Sequence, residues 1–123
     1  MTNKLTPIKQ ARWRKGLRAE RWATIWLRLK GYSINEQRYK SPFGEIDIIA
    51  ERSGVMVFVE VKSRKSFLDA KESITPKQRR RIEKAATLYM AKRQHQGYAI
   101  RFDAVLSVGW RLTHLQGAWR MGD

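Results

Sequence analysis

The clearest pattern of apolar and polar positions lies in residues 44–62. Two runs rich in β-branched residues, Gly44-Glu45-Ile46-Asp47-Ile48-Ile49-Ala50-Glu51 and Val55-Met56-Val57-Phe58-Val59-Glu60-Val61-Lys62, flank Arg52-Ser53-Gly54. A Ser-Gly break between two such runs predicts a β-hairpin. With Ser53-Gly54 as a two-residue turn, or residues 52–55 as a four-residue loop, Asp47 falls opposite Glu60, Glu45 opposite Lys62, and Ile49 opposite Phe58. One face then carries Ile46, Ile48, Ala50, Val57, Val59 and Val61, and being wholly apolar it is the expected core face. A slip of one residue scatters charge onto both faces, so burial of one face selects the register.

The rest of the chain reads as helices and strands around this hairpin. Residues 1–8 form a basic lead-in expected to be flexible, and residues 9–30 a helix closed by Gly31. Projected at about 100° per residue, Trp13, Leu17, Ala23, Trp26 and Leu27 share an apolar arc, while Arg14, Arg18, Arg21 and Arg28 cluster on another side. Residues 33–39 suggest a short strand, and 40–44 a basic turn into the hairpin. Residues 63–73 lack periodicity and read as a mobile basic loop. Thr75-Pro76 is a helix start, with threonine as cap and proline at the first helical position. That helix is expected to reach residues 94–96, with Ile82, Ala85, Ala86, Tyr89 and Met90 on its core side. Residues 99–108 form the next strand, placed on the same sheet by a crossover. A last short strand over 110–115 precedes a tail holding Trp119. Asp103, near Arg101, reads as structural, and His95 and His114 as isolated. The fold class is therefore α/β: a central mixed sheet flanked by helices, in one domain over residues 9–123.

Charge changes this picture most. The 123 residues carry 26 Lys and Arg against 11 Asp and Glu, a formal net charge of +15. That imbalance in a folded domain predicts a polyanionic partner, most often nucleic acid. Cysteine is absent, which removes disulfides and thiolate metal sites. No apolar run approaches a membrane span of roughly 20 residues, and no signal-peptide core is visible, so a cytoplasmic protein without membrane attachment is expected.

Where acids are scarce, their positions carry information. Asp47 and Glu60 are expected on neighbouring strands about 5 Å apart, with Lys62 about 7 Å along. Such a pair repels itself unless a shared proton, a lysine or a divalent metal intervenes. A plain surface network, with Lys62 paired to Glu45, is the alternative. Glu20 projects into the apolar arc of the first helix with no basic residue three or four positions away. It must therefore find a cation elsewhere or join the Asp47/Glu60 pair.

The order helix, strand, hairpin, helix, strand, with Asp47 on one strand and Glu60-x-Lys62 on the next, resembles the PD-(D/E)xK nuclease superfamily of restriction enzymes and archaeal Holliday-junction resolvases. Gly44-Glu45-Ile46-Asp47-Ile48-Ile49-Ala50, Val57-Phe58-Val59-Glu60-Val61-Lys62-Ser63-Arg64, Arg101-Phe102-Asp103-Ala104-Val105 and His114-Leu115-Gln116-Gly117-Ala118-Trp119 are similar to the small bacterial YraN-type family of predicted endonucleases. The likeness covers about residues 13–119, with Ile46 where the superfamily name has proline. It implies a restriction-endonuclease-like fold in which Asp47 and Glu60 bind metal, Lys62 completes the motif, and Glu20 is a helix acid.

Oxygen donors alone suit a hard cation, so Mg²⁺ is expected and Mn²⁺ should substitute. The expected ligands are Asp47, Glu60, the Val61 carbonyl and Glu20, directly or through water. The expected reaction is phosphodiester hydrolysis, the ion polarising the phosphate and acidifying water while Lys62 stabilises the attacking hydroxide or the charge growing on phosphorus. The expected partner is DNA, branched, structured or single-stranded, held by Arg14, Arg18, Arg21, Lys40, Arg64, Lys65, Lys77, Gln78, Arg79, Arg80, Arg81 and Lys84. A homodimer is a further expectation, because resolving a junction takes two cuts. The competing function is a nuclease-fold protein that binds nucleic acid structurally without cutting it.

Overall fold

Strand β3 (Val55–Ser63) is the axis of the molecule, antiparallel to β2 (Gly44–Arg52) on one side and parallel to β4 (Ala99–Val108) on the other. The structure, a computed structural model, describes residues 6–93 and 97–123. Strands β1 (Ser33–Ser41) and β5 (Arg111–Trp119) complete a mixed five-stranded sheet in the order β1-β2-β3-β4-β5. Helix α1 (Pro7–Leu29) covers one face; α2 (Phe67–Glu72) and α3 (Pro76–Arg93) cover the other. This is an α/β restriction-endonuclease-like architecture, with helices on both sides of an open sheet.

The hairpin closes as its residues predict. Ser53 and Gly54 take φ of 52° and 77°, the left-handed pair whose twist matches the flanking strands, and Ile49 faces Phe58. Its burial is two-sided, however. Ile48, Ala50, Val57, Val59 and Val61 pack toward α1 with Ala23 and Leu27, while Ile46, Ile49, Met56 and Phe58 pack toward α3 with Ile82, Ala85 and Tyr89. The face opposite the apolar one is thus a second core, and Ile46 belongs to it. The crossover helices α2 and α3 cover one face and α1 covers the other, which explains the near-continuous apolar run 55–59.

Several boundaries differ from expectation. Helix α1 begins at Pro7, with the Thr6 hydroxyl accepting from Lys9 N at 3.2 Å, so residues 7 and 8 are helical and not lead-in. Residues 1–5 lie outside the described residues, as do 94–96 with His95. Trp13 is exposed, and the buried stripe of α1 is Ala19, Ala23, Thr24 and Leu27. Residues 11–15 are exposed, so the expected apolar arc is not covered at Trp13. The turn into the hairpin is only Pro42-Phe43, because Ser41 already pairs with Gly44. The segment 63–73, which reads as a loop, contains α2, capped by Ser66 and anchored by buried Ala70.

Strand β5 runs to Trp119, past a bulge that leaves Asp103 unpaired in the ladder. Trp119 is buried, stacked on Phe102 at 5.3 Å and bonded through Nε1 to Glu83 at 3.1 Å. His114 is not isolated: its Nε2 lies 2.7 Å from Asp103 and its Nδ1 2.6 Å from Lys30 Nζ. An ammonium only donates, so Nδ1 accepts and the ring proton sits on Nε2, facing the carboxylate. Asp103 is fully buried and also takes Arg101 through both oxygens and Gly117 N. Burial would raise this carboxyl, but those bonds outweigh it and hold it below the usual carboxylate range. Its role is structural, as the sequence suggests. No helix among the described residues is long and apolar enough to cross a membrane.

Candidate active site

The β2–β3 ladder stops at Ile48–Val59, and the site is built just beyond it. One residue past that last pair, Asp47 Oδ2 accepts from Val61 N at 2.8 Å, taking the place a strand carbonyl would occupy. The carboxylate is thereby fixed beside Glu60. Glu60 comes from the central strand and is 5% exposed. Its Oε1 lies 3.4 Å from Lys62 Nζ and 3.4 Å from Gln78 Nε2, which reaches over from α3. Lys62 therefore pairs with Glu60 and not with Glu45, which sits exposed in register with Lys40.

Glu20 satisfies both of its sequence expectations. Its Oε2 accepts from Arg38 Nε at 2.9 Å, and it also stands close enough to Asp47 for the two charges to interact. Arg38 reaches it from a left-handed backbone, φ 52°, a conformation costing a non-glycine residue on the order of 1–2 kcal/mol. Strain of that kind is retained where a side chain must be aimed.

The electrostatics of the three acids follow from burial. Asp47 is pushed up to about 8, first by desolvation and then by the negative charge of Glu60. Desolvation also raises Glu60, against the opposing Lys62 charge and a hydrogen bond from Asp47. Burial and mutual repulsion thus make the pair as a whole hold a proton more readily than isolated carboxylates do. Glu20 is raised by burial and then by Asp47, with Arg38 opposing. Adjacent carboxylates with raised pKa values are relieved by any nearby positive charge, and here Lys62 supplies one.

These acids form one wall of a cleft of about 820 Å³. Val61 lines it with them, and Arg64 and Lys65 stand on its rim. Arg12, Lys15 and Gly16 of α1 also line it, and sequence reasoning overlooked them. Their signal was present: Arg12, Gly16 and Glu20 follow at intervals of four, one helical face. Asp69 of α2 is a further lining residue, hidden in the sequence by a segment that reads as a loop. Among the described residues no three His, Cys, Asp or Glu side chains are placed to hold a metal ion together. The donors present, two adjacent carboxylates and a backbone carbonyl in an open cleft, still suit Mg²⁺, which is commonly held by one or two carboxylates and keeps several waters.

The other basic residues divide into two groups. Arg14, Arg18, Arg21, Lys40, Lys77, Arg81 and Lys84 are all exposed at the surface. Arg79 is half-buried with its guanidinium 5.8 Å from the Trp119 ring centre, and its Nε has no hydrogen-bond partner. Arg80 is bonded to Glu83 at 2.9 Å and to the carbonyl of Asp123. Those two arginines, together with Gln78, hold the interior and the C-terminus.

The profile of the uncharacterised protein family UPF0102 matches residues 19–107, a span holding every acid of the site. The chain belongs to this family. A UPF0102 protein of Paramagnetospirillum magneticum is 47% identical over 118 residues, covering 91% of this chain and 92% of its own. One from Nitrobacter winogradskyi is 45% identical over 114 residues, covering 91% and 97%. Another, from Bartonella bacilliformis, is 42% identical over 101 residues, covering 81% and 83%. This UPF0102 chain therefore matches its relatives over nearly their whole length, and the YraN-type resemblance read from its motifs is the same family.

Proposed function

We propose that the cleft hydrolyses phosphodiester bonds of nucleic acid, DNA in the first instance, with Mg²⁺ bound at Asp47 and Glu60. The observation that carries this reading is the adjacent Asp47/Glu60 pair beside Lys62, in the wall of a cleft also lined by Arg12, Lys15, Arg64 and Lys65. A structural ion pair with Lys62 needs one carboxylate, whereas here a buried Glu60 and a half-buried Asp47 stand together in a chain of net charge +15.

Asp47, Glu60 and the Val61 carbonyl would hold the cation, with Glu20 reaching it through water. When bound, the cation supplies Lewis acidity toward the phosphate and the water that attacks it. The chain does the rest. The Val61 N–H bond sets the plane of Asp47, and Gln78 sets the orientation of Glu60. Lys62 places a positive charge where negative charge grows on the phosphoryl oxygens. Arg12, Lys15, Arg64 and Lys65 hold backbone phosphates, which gives strong salt dependence and little base readout.

The test is cleavage of labelled linear, single-stranded, flap and four-way DNA, and matching RNA, in Mg²⁺, Mn²⁺ and EDTA, with Asp47→Ala purified in parallel. Metal-dependent cutting lost in the variant is the expected result. Tight binding with no cutting of any substrate would point instead to a nuclease-fold binding protein, and equal cutting by both proteins to a contaminant.

A further inference from the structure

Two indoles stand exposed where no packing requires them. Trp110, at the tip of the β4–β5 turn, is 97% exposed, and Trp22, on the outer side of α1, is 54% exposed. Single exposed aromatics are ordinary. These two, however, line one groove of about 560 Å³ together with Leu112, Lys15 and Arg18. That groove adjoins the catalytic cleft, since Lys15 and Ser63 line both. The two indoles thus stand beside the cleft that holds the paired carboxylates, with Lys15 between them.

Duplex DNA buries its base faces within the stack, so it offers the two indoles nothing flat to meet. An unpaired strand presents base faces and a phosphate backbone together, the combination that aromatic side chains interleaved with basic ones recognise. We propose that the groove holds a single-stranded segment of the nucleic acid being cut, its bases stacked on Trp22 and Trp110 and its phosphates met by Lys15 and Arg18. The substrate class is then a nucleic acid with an unpaired stretch next to the scissile bond, such as a flap, a tail or an opened branch point. The proposal rests on reading the cleft as a phosphodiester site. Two chemistries compete for the groove: a second copy of this chain, through its apolar residues, and a duplex, through its basic ones.

The experiment measures binding of fluorescein-labelled DNA by anisotropy in EDTA, where no cutting occurs. It compares a blunt duplex with the same duplex carrying a short single-stranded tail. Wild-type protein is expected to prefer the tailed DNA. Trp22→Ala and Trp110→Ala should each weaken tailed binding about tenfold and blunt binding less than about twofold, while Trp22→Phe and Trp110→Phe retain most of the preference. Unchanged thermal melts would show that each variant is folded, which exposure at a turn tip favours for Trp110. Equal losses on both DNAs, or no loss in either alanine variant, would overturn the proposal. So would a wild-type dimer in sedimentation that both alanine variants dissociate without altering tail preference, because the groove would then be a self-contact. Failure of the hydrolytic reading is separate: it is seen as tail-selective, tryptophan-dependent binding with no cutting in Mg²⁺.

Discussion

Asp47 concentrates the chemistry of the molecule in one side chain, and its charge state is testable without any substrate. Its folded value of about 8 lies above the unfolded value of 3.8, so the native state holds a proton that the unfolded chain releases. The metal-free protein should therefore lose stability as pH rises from about 4 to about 8. Thermal melts across that range would show it. Asp47→Asn keeps an acceptor for Val61 N–H and removes the ionisable group, so it should flatten the dependence and melt several degrees higher at pH 8; an unchanged profile would contradict the raised value. Lys62→Met should lower cutting by about 10²–10³ while leaving DNA affinity within about twofold, as removal of a charge acting mainly on the transition state does. Counting outward from the two-residue turn places Asp47 and Glu60 side by side, one position beyond the last ladder pair, Ile48–Val59. The partner of Lys62 is not legible, since nothing in the sequence shows that the ladder ends at Ile48. Nor is the role of Arg38, whose left-handed backbone has no sequence signal at an arginine.

At the scale of elements, the β4–β5 pair depends on a knot of charge around Asp103. Asp103→Ala leaves Arg101 facing a buried gap, removes the acceptor of His114, and frees Gly117 N. It should cost about 3–5 kcal/mol, read as a lowered denaturant midpoint, while the cleft residues stay in place. Because Asp103 is held below its ordinary range, its contribution is present above about pH 4 and is lost as pH falls through its lowered folded value. A variant as stable as wild type would refute this role. Here the sequence is only partly readable. The strand over residues 99–108 is recovered to the residue because Gly97 and Gly109 bound an apolar-rich run on either side. Strand β5 is cut short because Gly117, at φ 60°, interrupts the pattern where the strand bulges around Asp103. Helix α2 escapes notice because six residues are too few to show a period, although Ser66 with Asp69 three positions on marks its start.

For the whole molecule, part of the positive charge is set around the acids. Arg12, Lys15, Arg64 and Lys65 gather at one cleft, while Arg79 and Arg80 are engaged with Trp119 and the C-terminus. Lys15→Ala with Lys65→Ala should weaken DNA binding and reduce the slope of log affinity against log salt by about 0.9 for each phosphate no longer neutralised. Lys92→Ala, near the C-terminal end of α3 and away from the cleft, should leave the slope unchanged. Composition points to a polyanion and hairpin register to the acids, but only the packing of α1 across the sheet brings the two together. The central claim is that Asp47 and Glu60 exchange their proton for a divalent cation. Calorimetric titration with Mn²⁺ at pH 7, repeated in buffers of different ionisation enthalpy, tests it most directly. Binding should release about one proton per ion, and Asp47→Asn should abolish both the release and most of the affinity. Binding of equal strength and equal proton release in the wild type and the variant would place the ion elsewhere and contradict that claim.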